Sequence, residues 1–145
     1  RGFSMKRFGL LTLAAALGFG LVAAAPSTAA AQAKEPPGGA YKKVSTLVAL
    51  PSYLPGLGTL YVVPSTIPAG PFLAYDHQGH LVSSIYMIPI SDMNAHKDFT
   101  ALAAAHERID HVDVVFNAGH PGVPEPHYHI IVWYVSPERA AQLAK

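Results

Sequence analysis

The first 33 residues limit what this chain can fold into more than any other feature. Met5-Lys6-Arg7 supplies positive charge, Phe8–Ala25 is uncharged and apolar, and Ala31-Gln32-Ala33 places small residues at −3 and −1 of a cleavage site. This pattern is typical of a signal peptide, and cleavage would leave Lys34 as the mature N-terminus. The alternative is an uncleaved anchor, because 18 apolar residues can just span a bilayer. Arg1–Ser4 precede a candidate start methionine and take no part in the fold reasoning.

The body that follows, residues 34–145, has the size of one domain and is nearly neutral. It holds seven Lys/Arg and nine Asp/Glu, so the net charge of +1 comes from the leader. A nucleic-acid-binding domain needs a basic stripe, and none is visible. The chain has no cysteine, which excludes thiol catalysis and thiolate metal sites. We therefore expect an exported protein, periplasmic or extracellular, with an ordinary hydrophobic core and no membrane span after cleavage.

Proline and glycine divide this body into an arm and a domain. Residues 34–58 begin with Lys-Glu-Pro-Pro-Gly-Gly and form a Pro/Gly-rich arm, and residues 59–145 form a single α+β domain. The arm is apolar, with Val44, Leu50 and Leu57 among its residues. Because a compact domain already follows it, we expect the arm to find little core of its own. An interface in a closed homo-oligomer is the predicted use of the arm or of residues 51–71.

Hydrophobic periodicity predicts five strands and two helices in the body. The first helix begins at Ser91 or Asp92 and continues through the stripe that ends at His106, and the second begins with Ser136 as its cap and Pro137 at its first position. The order β-β-β-α-β-β-α predicts a two-layer α+β fold, an antiparallel sheet with helices on one face. The predicted strands cover residues 59–63, 72–75, 81–90, 111–117 and 127–135.

The candidate site is a histidine cluster near the C-terminal end. All eight histidines lie between residues 77 and 129, and the densest group is His120, His127 and His129. Residues i and i+2 of a strand share a face, so His127 and His129 present adjacent imidazoles, and the Pro/Gly-rich loop that carries His120 can fold back over them. Three imidazoles with an open fourth position describe a zinc site and also suit copper, nickel or iron.

Two acidic residues near this cluster have predicted roles. Asp113 or Glu125 could accept a hydrogen bond from an imidazole and fix its tautomer, and Glu125 could alternatively bind the metal itself. The competing interpretation is structural, since His-x-His occurs often by chance and a histidine pair can be an exposed strand face. A cupin motif fits poorly because Val132, Trp133 and Tyr134 stand where a Glu is required. A metallo-β-lactamase motif fails as well.

Four segments carry a resemblance to a known family. Residues 70–76, 86–89, 110–114 and 119–129 are similar to a small exported bacterial family of unknown function, over about Thr59 to Leu143. Its described member is a thermophile protein controlled by an extracytoplasmic-function sigma/anti-sigma system, which forms a ring-like homodecamer. The resemblance implies export, an α+β fold and self-association, and it implies no reaction.

Two hypotheses of different classes follow. In the first, the protein is an exported structural or binding domain of the cell envelope or extracellular space that assembles with itself. In the second, His120, His127 and His129 bind a transition metal, as in a metal-dependent hydrolase or a small cupin-like enzyme. Whether the protein is an enzyme stays open at this point.

Overall fold

The computed structural model describes residues 33–145. The predicted leader, residues 1–33, lies outside these residues except for Ala33, which is its last residue. Among residues 33–145, no helix has both the length and the apolar character that crossing a bilayer requires.

One antiparallel sheet of six strands organises the described residues. Its spatial order is β1-β2-β3-β4-β6-β5, so the two strands at the C-terminal end pair with each other and β6 continues the sheet from β4. Two five-residue helices, α1 and α2, follow β4 and β6, and three 3₁₀ turns cover residues 44–46, 64–66 and 142–144. The predicted α+β class and element order are confirmed, with β1 as an addition. The elements are β1 (Lys42–Lys43), β2 (Thr59–Val62), β3 (Phe72–Tyr75), β4 (Leu81–Pro89), α1 (Ile90–Asn94), β5 (His111–Asn117), β6 (His127–Trp133) and α2 (Pro137–Ala141).

The strand register determines which side chains reach the core. Met87 pairs with His129 and Ile85 with Ile131, and every second residue of β6, from His127 to Trp133, is buried. We call the side of the sheet that carries these residues the inner face. The core on this face is a cluster of hydrophobic side chains from the strands and from the segments packed on them. Its apolar surface is buried away from water. Its members are Val44, Val62, Phe72, Ala74, Val82, Ile85, Met87, Val123, Ile131, Trp133 and Leu143.

The arm packs against this inner face. Val44 belongs to the core cluster, and Val48, Leu50 and Leu57 pack against it. The expectation that the arm finds little core of its own is therefore wrong. It failed because the inner face of the sheet carries a cluster of apolar side chains and, among residues 33–145, no long helix covers it. The Pro/Gly-rich segment supplies the missing cover.

The helix predicted from Ser91 to His106 is much shorter than its apolar stripe suggested. α1 ends at Asn94, and His96 and Ala101 have φ angles of +55° and +54°, which an α-helix cannot contain. Phe99 and Leu102 instead lie over the outer face of the sheet, where they line a shallow pocket with side chains of β4 and β6. The first two residues of the stripe do mark contact with the sheet, but the segment that makes this contact is irregular, with Phe99 half-buried and Leu102 exposed.

The two edges of the sheet differ in character. β1 has only two residues, Lys42 and Lys43, and charged short edges resist pairing with other chains. β5 has seven residues and exposes Val114 and Phe116, whose exposed fractions are 63% and 54%. The sheet therefore ends on one side in a long apolar strand.

The N-terminal end of the described chain runs along the β3–β4 hairpin. The Leu81 amide donates to the Ala33 carbonyl (3.3 Å), and the Glu35 amide donates to the Gly79 carbonyl (3.0 Å). The Tyr61 hydroxyl donates to a Glu35 carboxylate oxygen (2.9 Å), which ties the segment to β2. Residues 33–35 are thus held by backbone and side-chain bonds to the sheet.

Candidate functional site: three imidazoles at an apolar pocket

Strand β6 brings the first two imidazoles together. His127 pairs with Pro89 on one side and Asn117 on the other, so it lies between two strands and is fully buried. His129 follows on the same face with an exposed fraction of 8%. The two Nε2 atoms are 2.9 Å apart. The predicted i, i+2 geometry of this pair is thus present in the structure.

A tight turn brings His120 to the pair. The His120 amide donates to the Val123 carbonyl (2.9 Å) and the Val123 amide donates back to the His120 carbonyl (3.0 Å). Val123 is buried in the core and anchors the turn. Gly119, with φ of +121°, begins it, and a Cβ there would collide with the Pro124 carbonyl. The loop therefore closes over the strand end only because a glycine stands before the histidine.

The three ligand atoms point to a common region. The three imidazoles offer ligand nitrogens that all lie within 4.8 Å of one another. Ring centroids are 4.9 Å apart for His120 and His127, 5.6 Å for His120 and His129, and 4.9 Å for the strand pair. The sequence predicts that His120, His127 and His129 converge, but their spacing alone could not prove it. The structure brings the three imidazoles together.

Backbone carbonyls hold two of the rings in one tautomer. His127 Nδ1 lies 2.7 Å from the Glu125 carbonyl oxygen, and His120 Nδ1 lies 3.0 Å from the Pro121 carbonyl oxygen. A carbonyl oxygen can only accept, so both Nδ1 atoms carry the proton and both Nε2 atoms keep a lone pair. This arrangement is common among metal-binding histidines, because the carbonyl orients the ring and raises its basicity.

In the absence of a metal, one proton lies between the Nε2 atoms of His127 and His129. Because His127 Nε2 is an acceptor, the short contact with His129 makes His129 Nε2 the donor. A metal that binds both nitrogens must replace that proton. Burial, followed by the neighbouring His127 and His120 rings, lowers the pKa of His129 to about 4. His129 is therefore neutral at physiological pH, which is the form that binds metals.

The two acidic residues predicted beside the cluster bind elsewhere through their carboxylates. Glu125 accepts a hydrogen bond from the Ser91 hydroxyl (2.7 Å), and it contributes to the site only through its backbone carbonyl. Asp113 accepts from the Trp133 indole (2.8 Å), two residue pairs along the sheet from His129. Neither carboxylate joins the group of ligand atoms in the described part of the chain. The predicted tautomer-fixing role of Asp113 has no contact to support it.

The geometry fits a metal after a small closure. Tetrahedral zinc with Zn–N bonds of 2.0–2.1 Å separates its ligand nitrogens by about 3.3 Å. The strand pair, at 2.9 Å, is slightly tighter than this, and the third nitrogen lies within 4.8 Å. His120 lies on the more exposed loop, so an inward movement of its ring by at most about 1.5 Å would complete a tetrahedral set.

One residue beside the cluster was not singled out from the sequence. Asn117, at the end of β5, pairs with His127, and its side-chain oxygen accepts from the Gly119 amide (2.8 Å). Its amide nitrogen is therefore left to face other partners. A signal existed: β5 and β6 are joined by a nine-residue connection as a hairpin, and this register puts the last residue of β5 opposite the first of β6.

Fold and site together define a class: an α+β domain built on one antiparallel sheet, with a three-histidine cluster where the sheet meets a Pro/Gly-rich loop. A solved structure with a similar fold is the crystal structure of a hypothetical protein from Thermus thermophilus, with a TM-score of 0.58. The two chains are 45% identical over 66% of this chain and 88% of that one, so they are similar in sequence as well as in fold. No protein-family model matches the chain, and no curated protein matches it.

Proposed function

We propose that this protein is an exported domain that binds a transition-metal ion at His120, His127 and His129. One observation carries the proposal: three buried or half-buried imidazoles converge, and the Nδ1 atoms of two of them are already committed to backbone carbonyls. A chance histidine cluster has no reason to hold two rings with Nδ1 on a backbone carbonyl and a lone pair on Nε2. Neutral nitrogen donors favour zinc, copper, nickel or iron over magnesium or calcium, which prefer oxygen.

Binding is better supported than hydrolysis. A hydrolytic metal site needs a general base beside the bound water, and Glu125 was the acid nearest in sequence. Its carboxylate is exposed and bonded to Ser91. Within residues 33–145, no carboxylate joins the three imidazoles. We therefore retain a binding role and do not assign a hydrolase or cupin-like reaction.

The direct test is elemental analysis of untagged protein, followed by zinc titration. We expect about one equivalent of metal per chain, lost when His127 and His129 are both replaced by Ala. His106→Ala is the matched control, because this histidine is exposed and lies on the segment between α1 and β5. Free zinc at about 100 times its dissociation constant should stabilise the parent by about 2.7 kcal/mol, read as a higher melting temperature.

Two outcomes would count against the metal site. Parent protein that takes up no metal under these conditions would return the cluster to a structural role. Equal metal content in the parent and the double variant would assign the metal to another place.

A second proposal concerns self-association, and the β5 edge supports it. We define the β5 patch as Ile109, Val112, Val114, Phe116 and the neighbouring Met93, all exposed. Monomers seldom leave so many large apolar side chains in solvent, and a long apolar edge strand is a template for pairing. A second copy of this chain is the proposed partner, because an antiparallel β5–β5 pair is self-complementary and closes by two-fold symmetry. The family resemblance, which implies a ring, also favours self-association.

Light scattering on the chain beginning at Lys34 tests this proposal. We expect a mass of at least two protomers for the parent and a lower mass for Val114→Lys, which puts a charge at the centre of β5. Ala141→Lys is the control, because Ala141 is exposed on α2 and is not part of the β5 patch. A parent that is strictly monomeric at micromolar concentration would contradict the proposal. So would an assembly that Val114→Lys leaves intact.

A further inference from the structure

An apolar pocket with a cavity volume of about 130 Å³ opens next to the histidine cluster. It lies between the arm and the inner face of the sheet, and its walls include Val48, Leu57, Phe72 and Met87. His120, His129 and Asn117 form its polar end. Apolar cavities of about this size can hold a small apolar molecule, and a few polar groups gathered at one place are typical of ligand sites.

The rim of the pocket is also apolar. Leu47 and Ile67 line it and expose 40% and 39% of their surface, although both are large hydrophobic side chains. An aliphatic or aromatic molecule in the pocket would cover part of this surface. The pocket thus offers apolar surface that a ligand can bury, both inside and at its mouth.

The charge of the metal site is not balanced by the protein. Three neutral imidazoles around a divalent ion leave a charge of +2 at the end of an apolar pocket, where an uncompensated charge is costly. The carboxylates of Glu125 and Asp113 are bonded to Ser91 and Trp133 and do not reach the cluster. Three protein ligands also leave at least one coordination position for an outside group.

Asn117 adds a hydrogen-bond donor at the same end. Its oxygen is committed to the Gly119 amide, so the NH₂ group is the part of the side chain left for a ligand. A carboxylate that binds the metal through one oxygen has a second oxygen that accepts such a bond. The unbalanced charge of the metal, its open coordination position and the Asn117 donor therefore all favour a carboxylate.

We propose that the pocket binds a small apolar monocarboxylate, with its carboxylate on the metal at His120, His127 and His129 and beside Asn117, and its hydrocarbon part along Val48, Leu57 and Phe72. This inference rests on the proposed metal site. Asn117 is the residue that selects a carboxylate head, and the arm supplies the wall that selects an apolar body.

Calorimetric titration of decanoate, acetate and 1-decanol into the zinc-loaded full chain tests the proposal. Decanoate should bind at least about tenfold more tightly than either acetate or decanol, because only decanoate combines the head with the apolar body. Decanoate should also bind at least about tenfold more weakly to metal-free protein. With cobalt in place of zinc, decanoate should change the visible absorption of the metal and decanol should not.

Two variants separate the head from the body. Asn117→Asp keeps an oxygen for the Gly119 amide but supplies the missing negative charge, so metal binding should persist while decanoate binding falls. Ile67→Trp narrows the mouth, so decanoate should weaken while acetate and metal binding stay unchanged. Leu102→Trp, at a position of similar exposure outside both the pocket lining and the β5 patch, is its control.

The outcomes distinguish this inference from the metal proposal. Failure to load zinc would defeat the metal site itself. If zinc loads normally but decanoate binds no better than acetate, no better than decanol, or equally well without metal, the carboxylate proposal alone is overturned. An Ile67→Trp variant indistinguishable from Leu102→Trp would overturn the assignment to this pocket.

Discussion

Asp76 is a buried carboxylate that joins the β3–β4 turn to α2. It accepts from the Gln78 and His80 amides, both at 2.9 Å, and from the Arg139 guanidinium at 2.7 Å. Burial by itself would raise the pKa of Asp76, but the hydrogen bonds from His80, Arg139 and Gln78 together outweigh it and hold the pKa below its ordinary value. The ionised form is therefore the one that stabilises the fold.

This depressed pKa predicts a stability loss in acid. A carboxylate whose pKa is lower in the folded than in the unfolded chain contributes stability that is fully present above the unfolded value. That stability is lost as the pH falls through the folded value. Asp76→Asn should cost about 2 kcal/mol near neutral pH, because Asn keeps one oxygen for the two backbone amides but turns an NH₂ group toward the Arg139 guanidinium, which loses its charged acceptor. Urea unfolding from pH 7 to pH 3 measures the effect.

The variant should also lose part of its pH dependence. Below the folded pKa of Asp76, parent and Asp76→Asn should approach equal stability, since the parent then carries a neutral side chain as well. Asp98→Asn is the control, because Asp98 is exposed. A constant stability difference at every pH would show that the loss comes from packing and not from the charge.

Two adjacent serines in β4 provide a contrast in hydrogen bonding. Both are fully buried, but Ser84 Oγ accepts from the Tyr134 hydroxyl (2.8 Å), whereas Ser83 Oγ has no partner among the described residues. Ser83→Ala should leave stability unchanged or raise it by up to about 1 kcal/mol, and Ser84→Ala should lower it by about 1–2 kcal/mol. Chemical denaturation of both variants checks this order. The reverse order would mean that Ser83 bonds a buried water.

At the scale of elements, the loop from β5 to β6 decides whether the third imidazole reaches the other two. Gly119→Ala forces a Cβ against the Pro124 carbonyl and a side chain into a left-handed backbone. We expect a stability loss of about 1–3 kcal/mol and a weaker zinc affinity, because His120 is displaced. Gly38→Ala is the control, since its φ is +76° but nothing lies within 4 Å of a Cβ there. Equal zinc affinity in both variants would contradict this role of the loop.

The strands could be predicted because their signal is local. Alternation in residues 111–117, aromatic and β-branched density from residue 127, and the Ser136–Pro137 start of α2 all depend on near neighbours. Ser136 does accept from the Arg139 amide (3.4 Å). The long helix after Ser91 failed because its apolar residues serve a distant surface, the outer face of β4 and β6. A stripe reports burial, and only tertiary packing decides whether a helix or an irregular segment provides it.

The site was predictable only in its histidines. The His127–His129 pair follows from strand geometry. The position of His120 follows from the Pro/Gly-rich loop between β5 and β6, which is short and stiff and so has few conformations. The carboxylates of Glu125 and Asp113 have partners, Ser91 and Trp133, that lie far away in sequence. The pocket wall comes from the arm, whose packing depends on the whole sheet. Contacts between distant segments leave no local pattern to read.

For the whole molecule, export is the prediction that the leader makes. Mass spectrometry of the periplasmic or secreted form should give a mature chain beginning at Lys34, because Ala31 and Ala33 satisfy the small-residue preference of the cleavage site. Ala33→Leu should block or shift the cut, and Ala29→Leu serves as the control outside those two positions. An intact leader retained in the membrane fraction would contradict the prediction.

The bond between the Leu81 amide and the Ala33 carbonyl has a consequence for the order of events during export. A peptidase reads its substrate as an extended strand and needs the backbone at the cut to be unpaired. In the folded chain, the Ala33 carbonyl at the predicted cut already accepts a hydrogen bond from the Leu81 amide of β4. The Glu35 amide donates to the Gly79 carbonyl in the hairpin turn. We therefore predict that cleavage at this position comes before the hairpin docks. Premature folding would hide the cut and keep the leader attached, so the timing of folding would control release from the membrane.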